Sequence, residues 1–272
     1  MTSKKAPVNM DLATVIGLLL AWGALLIALF MEGGSISDLI NPSALIIVVG
    51  GTIGATTVAF SMKQILGLPA IIRNAFFSKE TDLSQVIYRM VVLARKARQD
   101  GILALEEESR RVNNKFLKMG IRLVVDGVPS EMVREILETE TISLQERHKV
   151  GENIFATMGG FAPTMGIIGT VMGLIHMLSS LDEPGKMGPA IAAAFIATLY
   201  GVALANLVFL PIGSKLKART TEEIIAYDMM LEGILSIQAG DNPRMVETKM
   251  LAFLPPKQRE LLGTGRLQSL GE

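Results

Sequence analysis

The sequence predicts an all-α, four-span integral membrane protein, with a helical cytoplasmic domain inserted between spans two and three and a helical C-terminal extension. Three observations predict this class. Four long apolar runs carry no charge, Lys and Arg fall almost entirely on one side of those runs, and no period-2 strand pattern of useful length occurs. Half of the 272 residues are hydrophobic and 19% are charged, below the ~25% of soluble domains. Twenty-six basic residues balance twenty-six acidic ones, so the clustered basic excess of a nucleic-acid-binding module is missing. The absence of cysteine excludes disulfide scaffolds, thiol catalysis and Cys-ligated metal centres.

The first run is Leu12–Met31, which at 1.5 Å per residue crosses a hydrocarbon core of ~30 Å. Lys4 and Lys5 precede it, as in a signal peptide, but the run exceeds the ~7–15 residues of a signal core and has no small-residue cleavage site. The second run, Leu39–Met62, is entered through Asn41-Pro42; the third is Asn153–Leu181 and the fourth Met187–Ser214. Between runs one and two there is no Lys or Arg, and between runs three and four only Lys186. Two basic residues precede run one, fifteen lie in Lys63–Glu152 and eight follow from Lys215 onward. The positive-inside rule then puts both termini and the long middle segment on the cytoplasmic side of the membrane. The expected organisation is a cytoplasmic N-terminus (1–11), a transmembrane hairpin (12–62), a cytoplasmic helical domain (63–152), a second hairpin (153–214), and a cytoplasmic C-terminal helix and tail (215–272).

Within the middle segment, Leu83, Val86, Ile87, Met90, Val91, Ala94 and Ala97 recur at helical spacing behind the candidate caps Thr81 and Asp82. Gly101 is expected to end that helix. A second helix is expected to carry Leu105, Val112 and Phe116 on one face, with Glu106–Arg110 and Glu107–Arg111 at i, i+4 on another. A third begins after Pro129-Ser130 and buries Val133, Ile136, Leu137 and Leu144. Beyond span four the helix is expected to run to about Gln238, followed by the turn cluster Gly240-Asp241-Asn242-Pro243 and, over roughly the last ten residues, a loose tail.

No Ser-His-Asp set, phosphate loop, metalloprotease motif or dinucleotide turn occurs, so no enzyme activity and no metal or other cofactor is expected. His148 and His176 are the only histidines; the first sits among charged helix residues and the second toward the outer end of span three. The spans contain no Asp, Glu, Lys or Arg, whereas an ion path through hydrocarbon needs a charged or coordinating group at depth. Alone, the chain is not expected to relay protons. It offers the hydroxyls of Thr170 and Thr198, each of which has the plain alternative of bonding its own i−4 carbonyl. Small residues form one stripe per helix: Ala162, Gly166, Gly169, Thr170 and Gly173 on span three, and Ala190, Ala194, Ala197, Thr198, Gly201 and Ala205 on span four. Such stripes let helices approach closely in lipid, either the two spans each other or both a separate helix that supplies the missing carboxylate. Pro163 and Pro211, near the cytoplasmic ends of the same spans, each remove a backbone bond and create a place to bend.

Phe161-Ala162-Pro163-Thr164-Met165-Gly166-Ile167-Ile168-Gly169-Thr170, Gly188-Pro189-Ala190, and Ala197-Thr198-Leu199-Tyr200-Gly201 running to Pro211 resemble the MotA/PomA family, the A subunits of the flagellar motor stator. The likeness extends from Met10-Asp11-Leu12-Ala13-Thr14 through Val124-Val125-Asp126-Gly127 to about Pro256. The related ExbB and TolQ proteins share the last two spans but have three in all. The resemblance implies a homopentamer of A subunits around two single-span B subunits of the MotB/PomB type, each bringing an essential intramembrane Asp. It further implies that ion flow drives torque on the rotor protein FliG and so powers motility. The family pattern Ala-Arg-x-x-Gly-x-x-x-Leu-Glu falls on Ala97 to Glu106, which makes Arg98 and Glu106 the rotor contacts. The family's two prolines map to Pro163 and Pro211, and the ion pathway to Thr170 and Thr198. The stripes Ala162, Gly166, Gly169, Gly173, Ala194, Ala197 and Gly201 become partner-helix packing.

For the transported cation, Na+ is favoured over H+. Sodium-using members tend to have Thr at the Gly169-Thr170 position, where many proton-driven members have Ala, and paired hydroxyls replace part of a sodium ion's oxygen shell. Thr198 occurs in both types, and Asn41 stands where some sodium-driven members have Asp. Two other functions remain open from the sequence: an ExbB/TolQ-like proton-motive energiser of an outer-membrane system, and a secondary transporter.

Overall fold

The computed structural model describes residues 11–76, 82–179 and 181–263. Lys4, Lys5, Met10, the candidate cap Thr81 and nearly all of the expected tail lie outside the described residues. Those described fold into helices with no strand among them. They are α1 (Leu12–Met31), α2 (Pro42–Ala59), α3 (Met62–Leu66), α4 (Leu68–Phe76), α5 (Leu83–Asp100), α6 (Leu105–Arg111), α7 (Lys115–Val125), α8 (Ser130–Leu178), α9 (Pro184–Gln238), α10 (Pro243–Leu251) and α11 (Pro256–Gly263). Four of them, α1, α2, α8 and α9, are long and apolar enough to cross a membrane. The chain divides into two compact units, one of residues 1–79 and 148–218, the other of residues 80–147 and 219–272.

In the first unit, Asp11 caps α1 by accepting from the Thr14 amide at 3.3 Å. No residue of α1 is buried within the chain, and a helix apolar all round is one that lipid covers. Asn41 caps α2 through the Ala44 amide at 3.0 Å, and Pro42 occupies the first helical position, where its missing N–H costs nothing. A π turn at Ile46–Gly50 widens α2, whose buried face is Ala44, Val48, Thr52 and Thr56. The Asp11 amide donates to the Phe76 carbonyl at 3.2 Å, and Lys215 forms an ion pair with Asp11, so the end of α4, the start of α1 and α9 meet. Ile154, Phe155, Met158 and Ile212 form a core there with Leu68, Ile71 and Phe76 packed against it.

The second unit has its own core, in which Ile87, Met90, Leu105, Leu137, Met229, Ile234, Met250 and Leu254 are fully buried. Asp82 caps α5 through the Ser84 amide at 2.9 Å, and Gly101, with φ 84°, ends it as expected. The left-handed backbone favours glycine there because it has no Cβ. The expected second helix is two. Val112 turns extended after α6, and Asn114 restarts the chain by accepting from the Leu117 amide at 3.0 Å, so Phe116 belongs to α7. Asn offers the backbone a local partner in place of the helix ladder, and Asn113-Asn114 takes that option. The expected third helix and span three are one, since α8 runs through Leu144 and Asn153 without a break. No capping or turn cluster interrupts that stretch. The helix after span four ends at Gln238, and Asn242 caps α10 with Pro243 at its first position.

Candidate functional site

Within the first unit, α8 and α9 lie against each other along their small residues. A Cβ on Gly201 would stand 2.5 Å from the Ala162 carbonyl oxygen, and one on Gly166 2.9 Å from the Ala197 carbonyl oxygen. At Gly169 and Gly173 an added Cβ would come 2.7 and 2.9 Å from the methyls of Ala197 and Ala194. Ala162, Ala194 and Ala197 are buried. These contacts join spans three and four of this chain, while a Cβ on Gly169 would also lie 3.6 Å from Ile47, and Ala197 packs with Ala44 and Val48 of α2. The stripes thus pack within the chain, and the physical reason is the backbone-to-backbone approach that glycine alone permits.

That approach carries Thr170 and Thr198 to the same place. Their hydroxyls are hydrogen-bonded to each other. Thr170 Oγ1 also lies 3.1 Å from the Gly166 carbonyl oxygen and 2.9 Å from that of Ala194. The i−4 bond expected of an isolated Thr exists, but it is one of three. Two hydroxyl protons face more oxygens than they can serve, leaving uncommitted lone pairs in a half-buried cluster of neutral oxygens. Such a cluster can ligate a hard cation or accept a proton in passing. No group of three metal-ligating residues occurs among the described residues, and no Asp, Glu, Lys or Arg lies in the four charge-free runs, so a cation crossing here meets no carboxylate from these runs.

Pro163 precedes Thr170 by seven residues and Pro211 follows Thr198 by thirteen. Pro163 is inside α8, where its missing N–H leaves the Gly159 carbonyl without its helical donor. Pro211 follows a π turn at Ala205–Phe209. Arg98 is exposed near the end of α5, and Glu106 is exposed in α6 and paired with Arg110 at 3.2 Å. Glu107 pairs likewise with Arg111 at 2.7 Å. A half-buried pair, Lys96 with Glu108 at 2.8 Å, clasps α5 to α6; the Glu108 carboxylate holds the Lys96 ammonium above its ordinary range. Arg98 and Glu106 thus stand on a hairpin fixed by other charges.

Sequence reasoning missed Tyr200. Its hydroxyl donates to the Leu39 carbonyl and accepts from the Asn41 amide at 3.3 Å, tying α9 to the corner where α2 begins. The available signal was a phenol within an apolar run, which needs a polar partner when buried. Also missed was Thr52, fully buried on α2, whose hydroxyl has no partner among the described residues.

Comparison with known proteins gives a consistent result. Residues 108–229 match the MotA/TolQ/ExbB proton channel family and residues 15–101 the motility protein A N-terminal family. The chemotaxis protein PomA of Vibrio alginolyticus is 39% identical over 252 residues, covering 93% of this chain and 98% of that protein. Motility protein A of Bacillus subtilis is 38% identical over 251 residues, covering 92% and 93%. Among solved structures, that of C. jejuni MotAB superposes with a TM-score of 0.87 at 33% identity, covering 91% of this chain and 97% of that one. The flagellar MotAB stator complex of Bacillus subtilis gives 0.85 at 38% identity, covering 90% and 96%.

Proposed function

Since this chain belongs to the motility protein A branch of the MotA/TolQ/ExbB proton channel family, and so is a stator A subunit of the flagellar motor and not an enzyme, we propose that it is one wall of a sodium path whose acidic carrier arrives on the helix of a MotB/PomB-type B subunit. The observation that carries this reading is the Thr170–Thr198 hydroxyl pair in a helix pair without charge. Oxygen ligands are present and the charge is absent, which is what one half of a two-chain conductor requires. The match over residues 15–101 supports the flagellar function over the ExbB/TolQ-like energiser.

The finer parts of the proposal follow the family. Five copies surround two B subunits, and both termini and the segment between spans two and three face the cytoplasm, as the placement of Lys and Arg favours. Pro163 and Pro211 serve as hinges. Arg98 and Glu106 meet FliG through alternating charge contacts, which pass the rotation of the A ring to the rotor. The test is co-purification with the candidate B subunit followed by counting chains in the particle. Five A chains with two B chains are expected. Cation flux through the purified A chain reconstituted alone would overturn the two-chain conductor.

A further inference from the structure

Asn206 is the only carboxamide in Met187–Ser214. It lies within about 8 Å of the middle of that run along the helix axis, inside the ~15 Å half-thickness of a hydrocarbon core. Its side chain is exposed on the π turn Ala205–Phe209. Its Nδ2 donates to the Val202 carbonyl at 2.9 Å; the Oδ1 and the second Nδ2 hydrogen make no bond among the described residues. An amide with open hydrogen-bonding positions turned toward lipid is costly, so polar groups at this depth face protein or water.

The face on which Asn206 lies identifies the protein. Phe195, Leu199 and Val202, at one-face helical spacing with Asn206, are 68%, 40% and 46% exposed. Ala194, Ala197 and Gly201 are buried against span three, and Ala205 is buried as well. Thr198 stands between the two sides, half-buried. The exposed face therefore borders the hydroxyl pair, where the carboxylate-bearing helix must come. We propose that Asn206 hydrogen-bonds a polar group of the B-subunit helix, two turns closer to Lys215 than the hydroxyl pair. This contact rests on the reading that the carboxylate arrives on another chain's helix.

The chain has no cysteine, so an introduced thiol is unique in it. In the co-expressed stator complex, Thr198→Cys and Asn206→Cys are each paired with a cysteine walk along the B-subunit span, and disulfides are formed by mild oxidation. Both are expected to couple to the B helix, Asn206→Cys at positions about eight residues further toward the cytoplasm. Coupling of Asn206→Cys only to a second copy of this chain, or to nothing, while Thr198→Cys couples to B, overturns the contact and leaves the functional reading standing. If neither couples to B, the functional reading falls and the contact with it. In parallel, Asn206→Leu is expected to lower the B subunit retained through a detergent wash by roughly three- to fifteen-fold, the worth of one interhelical hydrogen bond in membranes, and Asn206→Gln to restore much of it. Undiminished retention in Asn206→Leu overturns the contact.

Discussion

The hydroxyl of Thr170 on α8 is hydrogen-bonded to that of Thr198 on α9, across a contact so close that a Cβ on Gly166 would stand 3.2 Å from the Cα of Thr198. Neither hydroxyl is placed by its own helix alone. The glycines that narrow the gap are what make the two oxygens a pair, so the packing and the proposed ion chemistry share the same residues.

Thr170→Ala removes one oxygen of that pair and, if sodium is the ion, weakens its capture. The sodium concentration giving half-maximal swimming speed is expected to rise about fivefold, the equivalent of one net hydrogen bond of ~1 kcal/mol. Speed measured across a sodium titration checks this, and an unchanged curve removes Thr170 from the ion path.

Arg98 is exposed and makes no ion pair among the described residues. Reversing it as Arg98→Glu is expected to alter stability by no more than ~0.5 kcal/mol while severely slowing swimming. Membrane abundance by immunoblot and speed by tracking are the two readouts. Normal torque at normal abundance takes Arg98 out of the rotor contact, and recovery on charge reversal in FliG strengthens it.

Gly201→Ala puts its methyl 2.5 Å from the Ala162 carbonyl oxygen, a backbone atom that moves only if the helices separate. A loss of ~1–3 kcal/mol is expected, read as a lower midpoint in thermal unfolding of the purified stator complex. Gly120→Ala is the contrast. Its Cβ would come 2.2 Å from Ile234 Cδ1, a side-chain end and not a backbone atom, with Ile234 Cγ1 and Leu137 Cδ1 at 3.2 Å in the buried core, and the helix-propensity gain of about 1 kcal/mol offsets part of the overpacking. A smaller loss than that of Gly201→Ala is expected of it.

Asp241 sits at the turn between α9 and α10, 2.7 Å from Lys249 Nζ and hydrogen-bonded by Ser236. The Lys249 ammonium first, and then the Ser236 hydroxyl, hold its carboxyl below the ordinary 3.8. A depressed folded-state value means that the stabilisation is fully present above the unfolded value and is lost as pH falls through the folded one. Asp241→Asn is therefore expected to lower the unfolding midpoint at pH 7, by about 1 kcal/mol or less for so accessible a pair. Parent and variant should converge in acid below the ordinary carboxyl range, and a difference that persists there would contradict the assignment.

The spans were legible because the absence of charge over eighteen or more residues has few other uses, and Leu12–Met31 coincides with α1. The cap at Asp82 was equally plain, whereas Asn41-Pro42 and the turn cluster at Asn242 marked only where helices begin, and the structure adds that both asparagines cap them. The break at Val112–Asn114 was hidden by Leu105, Val112 and Phe116, which keep helical spacing across it. Here a local side-chain partner outweighed periodicity. The continuity of α8 was hidden by the change from charged to apolar residues near Asn153, which alters the solvent around a helix and not the helix. The meeting of Thr170 with Thr198 depends on the register of two helices separated by a turn, and no spacing along one chain encodes that.

The bond network around Tyr200 has a mechanical corollary. The phenol is two residues from Thr198 on the same rigid rod, and it grips both sides of the Leu39–Asn41 corner. On the proposed ion path, any tilt of the hydroxyl-bearing helix is thereby geared to the first hairpin, and Tyr200→Phe is expected to uncouple that gear while leaving both threonine hydroxyls in position.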